Sequence, residues 1–341
     1  MVKSDNDISR IEIALAANQG YAVGLLASAA SIAMSASRDV CLSFTILDGG
    51  ILEQTFHDIV DCLNRIHPHV QVSRHFVDES VFAAYPSLRG NKMTYARFSL
   101  PDILKNSDHV IYCDADFLWL ADISLLWAMR DDDTMVKACR DPYVMAYKQE
   151  VDWFRHHGIE LKANRYFNAG LLLMNLRLMR EEVFVPKVLE FLNDNRDVVF
   201  HDQSALNYLL WDRVEFLEDK WMKFTTEIKD RDLASPCVLH YVNNVPWVNY
   251  GWREDLRDTR MGWYQVLAKA RRTCLWRIVR QYYGFIGAIS YFMKFTFVRI
   301  PIVRQALMFF AVVSGKKCQA SFLFHYARYW QAPSVRRTCK A

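Results

Sequence analysis

The feature that most constrains the fold of this chain is the stretch 109–120, HVIYCDADFLWL, where an apolar run ends in two aspartates. The run before Asp114 has the composition of a buried strand, and side chains on a strand alternate between its two faces. Asp114 and Asp116 are therefore expected to point the same way. Adjacent carboxylates repel each other, and a divalent cation that prefers oxygen ligands, Mn²⁺ or Mg²⁺, would offset that repulsion. The pattern predicts a metal site at a strand end; two solvated acids at that end are the alternative.

The residues before this stretch alternate between strand-like and helix-like patterns, which indicates an α/β fold. Strands are predicted at 11–17, 42–47 and 70–77, with helices at 21–37 and 51–66. This order predicts parallel strands joined by right-handed crossovers, with ligands bound beyond the carboxyl ends of the strands. Asn18 and Asp114 both follow a predicted strand, so we expect them to face one crevice.

The remaining patterns are more mixed. Further strands are predicted at 134–139, 167–176 and 238–242, and further helices at 94–104, 123–130 and 201–210. Pro101 disfavours a continuous helix over 94–104. Residues 142–166 are rich in Tyr, His and Lys and have no single period. This segment is consistent either with a lid over a site or with an irregular surface insert.

The distribution of charge divides the chain into two parts. Residues 259–341 carry 15 Lys or Arg and no Asp or Glu, whereas residues 1–258 carry 27 basic and 38 acidic side chains. We therefore predict an acidic catalytic domain at 1–258 and a separate basic tail at 259–341. The amino end has no basic segment followed by an apolar one, so no signal peptide is expected and the location is predicted to be cytoplasmic. The eight cysteines form no CxxC pair, which predicts free thiols.

Five separated segments carry a family resemblance. They are AANQGYA at 16–22, TYAR at 94–97, YCDADFLWL at 112–120, FNAGLLLMNL at 167–176 with HDQSALN at 201–207, and HYVNNVPW at 240–247. In this order they resemble the bacterial members of glycosyltransferase family 8, the lipopolysaccharide-type α-galactosyl- and glucosyltransferases. The resemblance implies a GT-A fold, a UDP-sugar donor, Mn²⁺ (or Mg²⁺) and a saccharide or glycolipid acceptor.

The resemblance also implies a role for each matching residue. The metal ligands are Asp114, Asp116 and His240. The nucleotide contacts are Ala16, Asn18, Tyr21, Asp114 and Ala115. The donor-sugar contacts are Arg97, Asp141, Asn168, Ala169, Asp202 and Gln203. Polar side chains of this kind can pair with each hydroxyl of a hexose. Without the family context, His240 would be read as an ordinary strand-end histidine and Arg97 as a surface arginine.

The family retains the anomeric configuration of the transferred sugar. A covalent route to retention needs a carboxylate nucleophile, and the residue at the matching place is Gln203. We therefore favour front-face substitution, in which UDP leaves as the acceptor attacks on the same side. Asp202 remains a candidate for a transient nucleophile.

One segment departs from the family pattern. The family usually reads His-x-x-Gly-x-x-Lys-Pro-Trp, whereas here YVNNVPW follows His240 and Val245 replaces the lysine that contacts the diphosphate. Either another cation supplies this contact, with Lys92, Lys220 and Lys223 as candidates, or diphosphate binding is weaker. A non-catalytic UDP-sugar-binding protein is therefore an alternative. A phosphotransferase of the Asp-x-Asp-x-Thr kind is disfavoured, because that threonine position holds Leu118.

The basic tail has three interpretations. Residues 263–283 carry an apolar stripe at helical spacing that is bordered by Lys and Arg, and no uncharged apolar run reaches 18 residues. The favoured interpretation is a helical extension peripheral to the inner face of the cell membrane, bound to its anionic surface. A helical subdomain packed on the body is the second. Nucleic-acid binding is the third, and it is disfavoured because the acidic body would repel such a partner. Under the first interpretation, a chain ending near Asp258 should stay soluble and keep its site.

Overall fold

The computed structural model describes residues 9–85, 92–226, 236–242, 245–248, 257–273, 275, 277–283 and 288. Its strands are β1 (Ser9–Ala17), β2 (Val40–Asp48), β3 (Val70–Phe76), β4 (His109–Cys113), β5 (Phe117–Trp119), β6 (Val136–Arg140), β7 (Phe167–Asn175), β8 (Val214–Phe216), β9 (Lys223–Phe224) and β10 (Val238–His240). Its α-helices are α1 (Ala22–Ser35), α2 (Glu53–Ile66), α3 (Leu100–Ile103), α4 (Ile123–Trp127), α5 (Lys148–His156), α6 (Leu176–Glu181), α7 (Phe184–Asp194), α8 (Asp202–Leu209) and α9 (Arg257–Ala270).

Seven of the described strands form one large sheet, in the order β3-β2-β1-β4-β7-β6-β8. The neighbours β3, β2, β1 and β4 are all parallel, as the β-α-β-α-β pattern predicted. Strand β7 runs antiparallel to both β4 and β6. The α/β class is confirmed, as a mixed sheet in which parallel pairs predominate.

The second half of β1, residues 13–17, is a continuous apolar run because both faces of the sheet are covered. Ile11, Ile13 and Leu15 belong to the core cluster beneath α1, whereas Ala14 between them belongs to the cluster on the opposite face. A strand buried on both faces does not need the alternation of polar and apolar residues that a half-exposed strand shows. The end of β1 is thereby fixed beside the end of β4, since Ala14 pairs with Tyr112.

A second, smaller sheet of order β5-β10-β9 follows the two aspartates. Strand β10 is antiparallel to β5, with His240 paired to Phe117, and the Tyr241 amide donates to the Asp116 carbonyl at 3.0 Å. This pairing brings a segment more than a hundred residues away in sequence against the end of β4. It therefore determines where His240 lies.

Two segments differ from their sequence-based predictions. The helix predicted at 94–104 is a 3₁₀ helix, Met93–Ser99, followed by α3, and Pro101 lies in the first turn of α3, where no backbone N–H is needed. The segment 142–166 contains α5, whose Val151, Trp153 and Phe154 are buried in the core. This segment is a packed part of the body, at least over α5.

The described part of the predicted tail is also packed on the body. Trp263 and Leu267 of α9 are fully buried in the same core cluster as α1, and Ile278 and Val279 join it. The apolar stripe predicted for the membrane therefore faces protein over this stretch, as the packed-subdomain alternative requires. Residues 289–341 lie outside the described residues, and the predicted membrane-associating extension stays a prediction for them. Over the described part of the chain, no helix has the length and apolar character needed to cross a membrane.

Candidate active site

Asp114, Asp116 and His240 lie together at the carboxyl edge of the sheet. Each offers a ligand atom, and these atoms lie within 4.8 Å of one another. His240 Nε2 is 3.3 Å from Asp116 Oδ1. The imidazole is stacked between the rings of Phe117, at 4.1 Å, and Phe224, at 5.2 Å, which fixes its orientation. Two carboxylates and one buried imidazole therefore converge on a single point.

The chemistry of this cluster fits a divalent metal ion. Within the described residues His240 Nδ1 is buried without a hydrogen-bond partner. Burial and the neighbouring Asp116 raise the pKa of Asp114 to about 6, although Arg97 opposes the rise. The cluster thus holds crowded negative charge that a divalent cation would neutralise, and carboxylate and imidazole are both ligands of such ions.

Arg97 lies beneath the cluster and connects it to the start of α8. Its side chain is 2% exposed, and Nη2 is 3.3 Å from Asp114 Oδ1, while Nε is 3.3 Å from Asp202 Oδ2. The guanidinium also donates to the carbonyls of Thr94 and Ala169. Because so little of Arg97 is accessible, its position suits pairing with the two carboxylates better than contacting a sugar. The expected donor-sugar contact stays a prediction.

Two further residues complete this network and were not predicted from the sequence. The Tyr112 hydroxyl donates to Asp114 Oδ1 at 2.8 Å, and the Arg97 guanidinium lies 4.3 Å above its ring. The Thr94 hydroxyl donates to Asp202 Oδ1 at 2.6 Å. A signal for Tyr112 was present in the sequence, because Tyr112 lies two residues before Asp114 in the predicted strand pattern and would therefore share its face. The role of Thr94 depends on a contact 108 residues away, which no local pattern contains.

The polar residues predicted for the donor sugar form one hydrogen-bonded group. Asp141 Oδ2 accepts from Asn168 Nδ2 at 3.3 Å and from Gln203 Nε2 at 3.2 Å. Gln203 Oε1 accepts from the Ala169 amide at 3.0 Å. Asp141 directly follows β6, Asn168 lies on β7 and Gln203 on α8. Arg97 connects this group to the metal cluster through Ala169 and Asp202. The structure therefore brings all six predicted sugar contacts into one region.

Two of the predicted nucleotide contacts, Asn18 and Tyr21, lie around the start of α1, at the nucleotide end of the crevice, whereas Asp114 belongs to the metal cluster. Asn18 Oδ1 accepts from the Gly20 amide at 3.1 Å, which fixes the turn after β1. The rings of Tyr21 and Trp247 meet edge to face at 5.6 Å. A Cβ on Gly24 would lie 2.4 Å from Trp247 and 2.9 Å from the Ala115 carbonyl, so glycine is required for this close packing. Tyr21, 39% exposed, is thus held in place with part of its ring accessible.

The three candidates for the missing lysine are directed elsewhere. Lys92 Nζ donates to the carbonyls of Phe82 and Ala83, at 2.9 and 2.6 Å. Lys220 Nζ is paired with Glu218 at 2.8 Å. Because Phe224 faces His240 and successive strand residues face opposite ways, Lys223 faces away from the cluster. None of these three lysines presents its ammonium group to the cluster.

A parallel-rich sheet that carries an Asp-Asp-His cluster and a polar pocket at its carboxyl edge defines a glycosyltransferase of the GT-A class. Comparison with solved structures agrees: the galactosyltransferase LgtC, in complex with donor and acceptor sugar analogs, superposes with a TM-score of 0.63 at 25% identity, over 77% of this chain and 96% of that one. The sequence model of glycosyl transferase family 8 matches residues 12–250. The chain belongs to this family, and the phosphotransferase hypothesis is thereby removed.

Curated relatives span different shares of their own length. General stress protein A of Bacillus subtilis is 26% identical over 269 residues, which cover 73% of this chain and 91% of the relative. The lipopolysaccharide 1,3-galactosyltransferase of Salmonella typhimurium is 26% identical over 198 residues, 53% of this chain and 57% of the relative. A putative glycosyltransferase of Haemophilus influenzae is 33% identical over 145 residues, 41% of each protein. The matches to the last two span about half of each relative or less.

Proposed function

We propose that this chain is a retaining hexosyltransferase that uses UDP-galactose or UDP-glucose. The proposed acceptor is a saccharide hydroxyl of a glycolipid of the lipopolysaccharide or lipooligosaccharide type. The observation that carries the proposal is the placement of the Asp114-Asp116-His240 cluster beside the Asp141, Asn168 and Gln203 group, with Arg97 between them. A diphosphate at the first and a hexose at the second would place the bond to be broken between them.

At the diphosphate end, the chain supplies the ligands of a divalent metal ion. Asp114, Asp116 and His240 would hold Mn²⁺ (or Mg²⁺), which when bound withdraws charge from the departing UDP. The Tyr112 hydroxyl and the Arg97 guanidinium both donate to Asp114 Oδ1, which holds this carboxylate in place. The nucleoside would be held by Ala16, Asn18, Tyr21 and Ala115.

At the sugar end, the side chains are arranged to position rather than to attack. Both polar atoms of the Gln203 amide are engaged, one by Asp141 and one by the Ala169 amide. The side chain of Asp202 is 7% exposed; its carboxylate accepts a hydrogen bond from the Thr94 hydroxyl and forms an ion pair with Arg97. These engagements support front-face substitution. The anomeric carbon loses its bond to the phosphate oxygen and gains a bond to the acceptor oxygen on the same face, and the acceptor proton passes to the leaving phosphate.

A second candidate function follows from Val245. This residue is buried and apolar where the family has a lysine, and the three replacement lysines are directed elsewhere. Weaker diphosphate binding would make the chain a non-catalytic or weakly active UDP-sugar-binding protein at the membrane surface. The proposed location for either function is peripheral to the inner, cytoplasmic face of the membrane, with no nucleic-acid partner.

The proposed function is tested with UDP-galactose and UDP-glucose, each with Mn²⁺ and with a chelator, by measuring release of UDP. We expect release from one donor well above the other, dependent on the metal and accelerated by a truncated lipopolysaccharide acceptor. Binding of a UDP-hexose in calorimetry without any UDP release would instead support the second function. If neither donor binds nor reacts, both functions are wrong.

The stereochemistry gives a separate prediction. Proton NMR of the product should show an α linkage formed from the α-linked donor, because attack and departure occur on one face. Replacing Gln203 by Ala should slow transfer by between about tenfold and a hundredfold, since it removes positioning and not a covalent nucleophile. A β-linked product would contradict retention, and complete loss of transfer in Gln203→Ala would contradict the positioning role.

A further inference from the structure

Glu150 is a buried carboxylate that the proposed mechanism does not use. It lies in α5 with 0% of its surface exposed. Its Oε1 accepts from the Tyr166 hydroxyl and from the Ser204 hydroxyl, both at 2.7 Å, and its Oε2 accepts from the Val199 amide at 3.3 Å. The Ser204 oxygen in turn accepts from the Phe200 amide at 3.0 Å. The Glu150 side chain thus accepts hydrogen bonds from two other segments of the chain, one at Tyr166 and one at 199–204.

These two segments carry or flank the predicted donor-sugar contacts. Ser204 follows Asp202 and Gln203 in the first turn of α8. Tyr166 directly precedes β7, which begins with Phe167, Asn168 and Ala169, and the Tyr166 carbonyl accepts from the Asp141 amide at 2.9 Å. The side chain of Gln203 also interacts with the Tyr166 hydroxyl. Glu150 is therefore connected, through Tyr166 and Ser204, to the segments that carry Asp141, Asn168, Ala169, Asp202 and Gln203.

All three groups that hydrogen-bond to Glu150 act as donors, so the side chain at this position must accept. Ser204 uses its oxygen for the Phe200 amide, so its proton is directed to Glu150, and the Val199 amide can only donate. Burial raises the pKa of Glu150, and these hydrogen bonds oppose the rise. Within the described residues Glu150 makes no ion pair. Burying a carboxylate without a cation is costly, and amide or apolar residues would fill the same space at lower cost.

The loop that enters α8 needs such an anchor. His201, which immediately precedes α8, has φ 53° and ψ −112°, a conformation that residues with a side chain rarely adopt. Glu150 and Ser204 bind the two residues just before it, Val199 and Phe200. The backbone on which Asp202 and Gln203 depend is thus held in an unfavourable conformation by contacts to Glu150.

We propose that Glu150 is a positioning residue that sets the specificity of the hexose pocket by fixing the start of α8 against the start of β7. This rests on the proposed function, since the group it positions is the hexosyl part of a UDP-hexose. Glu150 does not touch the nucleotide end of the crevice. Its loss should therefore affect the sugar and leave the affinity for UDP unchanged.

The test compares Glu150→Gln, Ser204→Ala and the matched control Glu12→Gln. Glu12 is also a buried carboxylate, 6% exposed, but it lies on β1 at the end remote from the crevice. For each variant, the Kd of UDP and of the intact UDP-hexose with Mn²⁺ is measured by calorimetry, with kcat and KM for UDP release and a melting curve. Gln in place of Glu150 puts an amide donor against the donors that surround it.

We expect Glu150→Gln to lower kcat/KM by between about tenfold and a hundredfold, with Kd for UDP within about twofold of the wild type. Discrimination between UDP-galactose and UDP-glucose should also narrow. Ser204→Ala should change the same quantities in the same direction by less. The control should melt at a lower temperature without changing the ratio of UDP-hexose to UDP affinity.

Three outcomes would overturn the proposal. Wild-type kinetics and donor discrimination in a folded Glu150→Gln variant would remove it. Parallel loss of UDP and UDP-hexose binding would show a structural role only. If Glu150→Gln does not fold, Ser204→Ala carries the test, and wild-type kinetics there would be decisive against it. Failure of the wild type to bind any UDP-hexose would refute the proposed function itself, and the two failures are therefore distinguishable.

Discussion

Replacing Asp116 by Asn should reduce metal-dependent UDP release by a thousandfold or more while the melting temperature changes little. Asp116 and Asp114 provide the only two carboxylates of the described cluster, and each tenfold in rate corresponds to about 1.4 kcal/mol of transition-state stabilisation. Charge compensation at a departing diphosphate contributes several kcal/mol, which gives an effect on the order of a thousandfold. Asp114→Asn should reduce UDP release in the same way. Its melting temperature should also change little, because Asn keeps the oxygen that accepts from Tyr112.

Measurement of Mn²⁺ affinity separates metal binding from catalysis. Asp102→Asn, an exposed acid on α3, is the matched control and should behave as the wild type. Because the pKa of Asp114 is raised to about 6, its carboxylate gains a proton as the pH falls through that value. Protons then compete with the metal, so Mn²⁺ affinity in the wild type should weaken below about pH 6 and be stronger above it. Full activity of Asp116→Asn, or of the wild type in a chelator, would refute the metal assignment.

A chain that ends at Asp258 should unfold or lose most of its stability, contrary to the expectation from the sequence. The cut removes α9 and exposes the faces of α1 and α2 that it covers. Trp263, Leu267 and Ile278 are each 2% exposed or less. Fully burying one large apolar side chain stabilises by roughly 2 kcal/mol, so the loss of several is comparable with a total stability of about 5–15 kcal/mol. Thermal melting and urea unfolding measure the effect directly.

The nucleotide end of the crevice should suffer in the same truncation. The Trp263 ring lies 5.7 Å from Trp247, and the Tyr264 hydroxyl donates to the Pro246 carbonyl at 2.9 Å. Since Trp247 packs against Tyr21, α9 supports a predicted nucleotide contact. A stable, UDP-binding chain ending at Asp258 would show that α9 is dispensable and that the division at 258 is right.

A cut after residue 288 is the matched control, because it keeps every described residue. This shorter chain should fold and release UDP as the full chain does. Residues 289–341 contain nine Lys or Arg and no acid, and each basic residue near an anionic bilayer contributes about 1 kcal/mol. The full chain should therefore sediment with anionic vesicles and be released by salt, whereas the chain cut at 288 should stay in solution. Equal sedimentation of both would place membrane binding elsewhere.

Features that depend only on neighbouring residues could be predicted from the sequence. Alternation along a strand predicted that Asp114 and Asp116 point the same way; their carboxylates do converge, although both residues lie in the connection between β4 and β5. The order of apolar segments predicted the parallel half of the sheet, from β3 to β4. The same order placed Asn18 and Asp114 at adjacent strand ends. These follow from a period of two along a strand and from the handedness of crossovers, which require no knowledge of distant contacts.

Contacts between distant segments could not be predicted from the sequence and are known only from the tertiary structure. His240 reaches Asp116 only because β10 pairs antiparallel with β5, and Arg97 is buried only because Asp114, Asp202 and Ala169 converge on it. The antiparallel direction of β7 and the hydrogen bonds that join Glu150 to the start of α8 also depend on contacts between distant segments. Helix α9 gives the physical reason most clearly. An apolar stripe with a basic border is stabilised equally by a bilayer and by a protein core, because both remove it from water. This stripe lies against protein because α9 covers apolar faces of α1 and α2. The local sequence of α9 contains no information about those faces.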